Sequence, residues 1–191
     1  MAYSRLSAAP LSAGRASAAR VSTALASALF VSLSAAAALA QPAGAAHHPV
    51  LGPEAAACRP GATGTAALVT VHGFKDRDGQ LRIQDYTGKD GEYLESGKYL
   101  QRHDVPMTAS GGMTVCLSLP GPGSYVIVAL HDRDTNGKLS IWSDGIGFTG
   151  NPRLKLAKPA PFDTVIPFGA GVTPVRIVLN YRRGLSVKPL D

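Results

Sequence analysis

The chain has 191 residues, with 19 Lys/Arg against 13 Asp/Glu and a formal net charge of +6. Arg5, Arg15 and Arg20 stand in the first forty residues, which hold no acid, so residues 41 to 191 carry sixteen cations against thirteen acids, or +3. Both signs are interspersed there apart from Arg182-Arg183, which describes a solvated surface and excludes a nucleic-acid-binding stripe.

In chain order, residues 1–40 read as a secretory signal peptide. A Ser/Ala-rich, arginine-bearing leader precedes the small apolar run 21 to 40, which ends Ala38-Leu39-Ala40. Ser22, Thr23, Ser27, Ser32 and Ser34 make that run a poor membrane anchor, and no membrane span is expected after cleavage. The expected location is periplasmic or secreted. Residues 41–64, rich in Ala, Pro and Gly, read as a flexible linker. Residues 65–182 then supply one domain's length of chain, followed by a C-terminal tail, 183–191. Two cysteines in an exported chain, Cys58 and Cys116, favour a disulfide over a metal pair or a reactive thiol.

Alternation at period two predicts strands throughout the domain. "TAALVTVHG" (65–73) puts Ala67, Val69 and Val71 on one face. "QLRIQDY" (80–86) puts Leu81 and Ile83 inward, with Arg82 and Gln84 opposite. "GMTVCLSLP" (112–120) buries Met113, Val115, Leu117 and Leu119 and turns Cys116 outward. "SYVIVALH" (124–131) is apolar on both faces and should be central, whereas "FDTVIPF" (162–168) carries Pro167 and belongs at an edge. "PVRIVLNY" (174–181) points Val175, Ile177, Leu179 and Tyr181 inward. Between 92 and 101, "EYLESGKYLQ" has room for only a turn of helix, because Gly97 interrupts it. Six or seven short strands separated by Gly/Pro turns predict an all-β, antiparallel β-sandwich, immunoglobulin-like or transthyretin-like.

The chemistry concentrates in "HDRDTNGKLSIWSDG" (131–145). Asp132, Asp134 and Asn136 alternate before Gly137, as at the start of a calcium loop, and the Lys138 carbonyl would be the next ligand. Ser143 stands where an EF-hand needs a bidentate Glu, and strands flank the loop, so an EF-hand is excluded. The competing reading is a metal-free turn built from Asx side-chain bonds. An internal echo favours that reading, since "DRDGQLRI" (76–83) recurs as "DRDTNGKLSI" (132–141). "GIGFTG" (145–150) spells a dinucleotide fingerprint without its strand-to-helix setting and reads as a glycine-rich loop, with Trp142 and Phe148 pinning it by burial. The histidines show no metal-ligand spacing and no nucleophile motif accompanies them.

Three segments carry a resemblance. Pro122-Gly123-Ser124-Tyr125 leads into a strand, His131 to Gly137 forms the acidic turn, and Gly147-Phe148-Thr149 with Asn151 follows. Together, over about residues 65 to 182, they resemble the exported bacterial proteins catalogued as domain of unknown function 2141. Ser140 departs from that pattern, which places an acid after "NGKL". The resemblance implies fold and exported location and implies no activity. The expectation is therefore a non-catalytic envelope-associated or binding module, in which calcium, if bound by the loop, would be structural. A hydrolase or other enzyme using the His131/Asp132 loop is the first alternative. The second is an accessory domain that binds a glycan or envelope partner through Trp142, Phe148 and Tyr125.

Overall fold

A computed structural model of the chain describes residues 49–190. The signal-peptide expectation for residues 1–40, like the first part of the linker, lies outside the described residues. Among the described residues, no helix is long and apolar enough to cross a membrane.

Two sheets enclose the core. The first has four strands: β1 (Val50–Leu51), β5 (Met113–Leu119), β2 (Thr65–His72) and β9 (Gly171–Val178), in that spatial order. The second has seven. Its order is β11 (Ser186–Pro189), β10 (Asn180–Arg183), β7 (Gly145–Phe148), β6 (Gly123–Asp132), β3 (Gln80–Thr87) and β4 (Gln101–Pro106), and β8 (Ile166–Phe168) pairs with the start of β6. The fold is a β-sandwich, as the alternation predicts. The seven-stranded sheet is antiparallel throughout, whereas β1/β5 and β2/β9 pair in parallel. Period-two patterning reports which face is buried and is blind to strand direction, so those two pairings leave no trace in it.

The inward faces are the expected ones. Val69 and Val71 from β2, Leu81 and Ile83 from β3, and Val115 and Leu117 from β5 are all fully buried between the sheets. On the last apolar run the face is right and the continuity is not: the strand breaks at Leu179 and its second half crosses to the other sheet as β10. Val175 and Ile177 thus enter the core from one sheet, Tyr181 from the other. Sandwich corners are made by strands that switch sheets in this way. The expected 162–168 strand is shorter than its pattern, because Pro161 opens a single helical turn, α1 (Pro161–Thr164), and only Ile166–Phe168 is extended.

Both ends of the domain extend further than the sequence suggests. From Val50 the expected linker is bound to the four-stranded sheet, through β1 on β5 and a 3-10 turn at Ala55–Cys58. Cys58 is bonded to Cys116, with the two Cα atoms 5.9 Å apart. Cys116 does face away from the inter-sheet core, and the incoming segment buries it from outside. The expected tail is likewise part of the sheet, because Gly184, at a positive φ of 65°, lets β11 fold back on β10. Low-complexity composition reports flexibility of an isolated chain and misses a segment held by a covalent bond and a neighbouring edge.

The two apolar faces of β6 have separate uses. Its other face joins a second cluster, outside the sandwich, in which Tyr86, Val126, Val128 and Phe148 pack beneath Tyr93 and Leu94. Tyr93 comes from the turns that replace the expected helix turn, and its hydroxyl is hydrogen-bonded to Thr164 Oγ1 at 2.6 Å.

Candidate functional site

The acidic loop begins as β6 ends. Asp132 closes that strand fully buried, and its Oδ2 accepts the Gly137 N–H at 3.0 Å and the Gln80 amide at 3.1 Å. Asp134 Oδ1 accepts the Asn136 N–H at 3.2 Å, and Asn136 Oδ1 accepts the Lys138 N–H at 2.8 Å. These are the Asx bonds of the metal-free reading, and the left-handed φ of 79° at Gly137 completes the turn. Just before β7, Asp144 folds back on the same loop. Its Oδ2 accepts the Ser140 N–H at 2.8 Å and its Oδ1 accepts the Arg133 N–H at 3.2 Å.

Asp132, Asp134 and Asp144 are thereby brought together, with one oxygen from each within 4.8 Å of the others. Asp144 is absent from the ligand set read from the sequence, where spacing counted along the chain placed it one residue late. The loop closes by a carboxylate that caps its returning end, which linear spacing does not measure. Asn136 stays at the exposed rim, donating to Asp134 Oδ2 at 2.7 Å, and the Lys138 side chain is exposed. One atom has no partner: Asp132 Oδ1 is buried and accepts no hydrogen bond from any described residue. Buried polar atoms are nearly always satisfied, so this oxygen keeps its capacity to accept a donor or a cation.

The echoed turn lies alongside. Asp78 N–H donates to Asp76 Oδ1 at 3.2 Å, repeating the Asp134–Asn136 bond, and Arg133 bridges the two turns by reaching Asp76 Oδ2 at 2.5 Å. That guanidinium holds the Asp76 carboxyl below the usual carboxylate range. A second arginine ties the loop to the sheet. Arg82, on the outer face of β3 yet buried, donates to both oxygens of Asp104 at 2.6 and 3.0 Å and to the Gly137 carbonyl at 2.6 Å. It also lies 3.7 Å from Asp132 Oδ2.

Both ring nitrogens of His131 are engaged within the fold. The residue is fully buried, with Nδ1 2.7 Å from the Tyr181 hydroxyl and Nε2 2.8 Å from the Asp78 carbonyl. Burial lowers its pKa and keeps it neutral, and burial pushes the Tyr181 hydroxyl up to about 12. Nε2 therefore donates to Asp78, and Nδ1 accepts from Tyr181. The pair stitches the two turns to the start of β10.

The three aromatic rings do not form an exposed platform. Tyr125 and Phe148 are buried, while Trp142, expected to pin the loop by burial, is 76% exposed and stacks on the Arg182 guanidinium at 3.4 Å from the ring centre. A ring held by a cation needs no burial, and period-two patterning cannot place a residue in a turn. Trp142→Ala is therefore expected to lower stability by less than about 1 kcal/mol, the worth of an exposed cation–π contact. Phe148→Ala should cost about 3 kcal/mol or more in the same denaturant titration. Equal losses would show that Trp142 is packed in solution.

The glycines of "GIGFTG" have a packing role. A Cβ on Gly145 would overlap the Tyr181 ring, and one on Gly147 would overlap Ile177 and the Val178 carbonyl, where β9 crosses to the other sheet. The segment is strand β7 rather than the expected loop.

Fold and loop together define a two-sheet β-sandwich with a carboxylate-rich turn built onto one end of a sheet. Within that class the family is definite. Residues 69–175 match the family described as "Uncharacterized protein conserved in bacteria (DUF2141)", and the chain belongs to it. No curated protein and no solved structure matches the chain.

Proposed function

We propose that the protein is an exported, non-catalytic, envelope-associated binding module whose acidic loop holds a structural calcium ion. The single observation that carries the calcium is Asp132 Oδ1, a buried carboxylate oxygen without a partner beside two further carboxylates. Calcium takes six to eight hard oxygens. Asp132, Asp134 and Asp144 would supply carboxylates, with Asn136 and the Lys138 carbonyl completing the protein's share. The ion would offset the charge of three converging acids and fix the loop between β6 and β7. Export is supported by the leader read from the sequence and by the disulfide, which persists in oxidising compartments. Against an enzyme on this loop stand the closed environments of His131 and Asp132.

Calcium at a hundredfold excess over its dissociation constant is expected to add about 2.7 kcal/mol of stability. That amounts to a rise of several degrees in Tm for a domain of this length. Asp132→Asn and Asp144→Asn should each abolish the rise while leaving a folded protein in chelator. Identical melting of the native protein in calcium and in chelator would refute the site and leave the Asx turn alone.

A further inference from the structure

The outer face of the seven-stranded sheet carries a groove of about 430 Å³. Its floor is the second apolar cluster, with Val128, Ile146 and Phe148 from β6 and β7. One wall is Leu139 and Ile141 from the acidic loop, and the other is Leu154 and Leu156 from the segment after β7. Leu139, Ile141 and Leu156 stay 46%, 38% and 48% exposed. The chain thus covers part of this apolar face with its own turns and leaves the remainder open as a slot. The volume falls within the roughly 300–1,000 Å³ typical of small-molecule sites.

The polar groups around the slot are unequal in sign. Lys155, Lys158 and Arg182 line it, and the one carboxylate among the lining residues, Asp144, is buried with both oxygens already accepting hydrogen bonds. Lys158 shares its ammonium with Glu95, and Arg182 is stacked on Trp142. The Lys155 ammonium has no partner among the described residues. An apolar slot edged by cations is complementary to a molecule that is apolar along its length and anionic at one end.

We infer that this groove binds a free single-chain anionic amphiphile of the fatty-acid type. The chain would lie on Val128 and Phe148 between the two leucine walls, and the carboxylate would reach Lys155 and Lys158. The inference names a ligand for the binding-module reading and is independent of whether calcium is bound. Phospholipid still held in a bilayer is a different occupant, because two chains and a membrane surface would have to meet a slot built for one chain.

The test is isothermal titration of the full domain with dodecanoate at neutral pH, below its micellar concentration, in calcium and in chelator. Dodecanol, dodecyltrimethylammonium and butyrate serve as comparisons. We expect saturable one-to-one binding of dodecanoate in at least one buffer, with each comparison weaker by about tenfold or more. Lys155→Glu with Lys158→Gln should weaken dodecanoate by at least about tenfold at unchanged Tm, the scale of one lost charge-assisted contact. Leu156→Asp, an exposed position, should do the same by spoiling the wall. Absence of dodecanoate binding in both buffers would overturn the inference. So would equal binding of dodecanol, unchanged affinity in both variants, or retention on anionic phospholipid vesicles without uptake of free dodecanoate. The calcium reading is judged separately, by the melting shift without amphiphile.

Discussion

Replacing Cys58 and Cys116 together by alanine is expected to lower stability by roughly 4 kcal/mol, the chain-entropy value for a bond that closes a separation of 58 residues. The bond does more than shorten the unfolded chain's freedom. It holds the segment from Val50 to Cys58 on the outer side of the four-stranded sheet, where β1 contributes only two residues of pairing. The non-covalent links are few. Glu54 accepts the Ser118 N–H at 2.7 Å and lies 3.4 Å from His103 Nε2. Without the bond, β5 loses its outer neighbour and Cys116, fully buried in the native protein, loses its cover. Urea unfolding of the native and doubly substituted proteins measures the difference, and protease cutting between 50 and 58 reports detachment. A loss below about 1 kcal/mol would mean that Glu54 and the β1 pairing hold the segment unaided.

What the sequence makes legible follows from what periodicity measures. Alternation in β2, β3 and β5 identifies the buried side chains because one face of each strand meets the core and the other does not. It also marks β6 as central, and the reason proves physical: that strand is apolar on both faces because each face has its own cluster to build. Strand β4, Gln101–Pro106, escapes notice because Arg102 and Asp104 give it no apolar face, and only Val105 enters the core. Strand β7 hides behind its glycines, which look like a loop until Tyr181 and Val178 are seen pressed against them. In the loop, residue types nominate Asp132, Asp134 and Asn136 but do not separate a cation loop from an Asx turn, because the same carboxylates and amides before a glycine build both. Asp144 is missed because its partners are set by closure of the loop, and Arg82 is missed because an outward position on a strand normally means solvent. Asp85 is a surprise of the opposite kind, a carboxylate at an inward position. It sits fully buried on the core-facing side of β3, and burial pushes its pKa up to about 7.

Arg82→Met is expected to lower stability in chelator by about 3 to 5 kcal/mol, the range for removing one partner of a buried ion pair. The arginine is the cation nearest the fully buried Asp132, and it also neutralises Asp104, whose pKa it holds below the ordinary carboxylate value through two hydrogen bonds. Asp104 is partly open to solvent and can be hydrated when its partner goes, so most of the loss should come from Asp132 and from the Gly137 carbonyl, which loses its 2.6 Å donor. That origin can be checked by adding Asp132→Asn to Arg82→Met. The double variant should recover much of the stability, because the uncompensated buried charge is gone. Calcium offers an independent check through the same atom. If the ion is bound by Asp132, Asp134 and Asp144, it supplies the positive charge that the arginine no longer does, and the penalty of Arg82→Met should shrink in saturating calcium. A penalty that is the same in calcium and in chelator, with no recovery in the double variant, would place the arginine's contribution in packing rather than in charge.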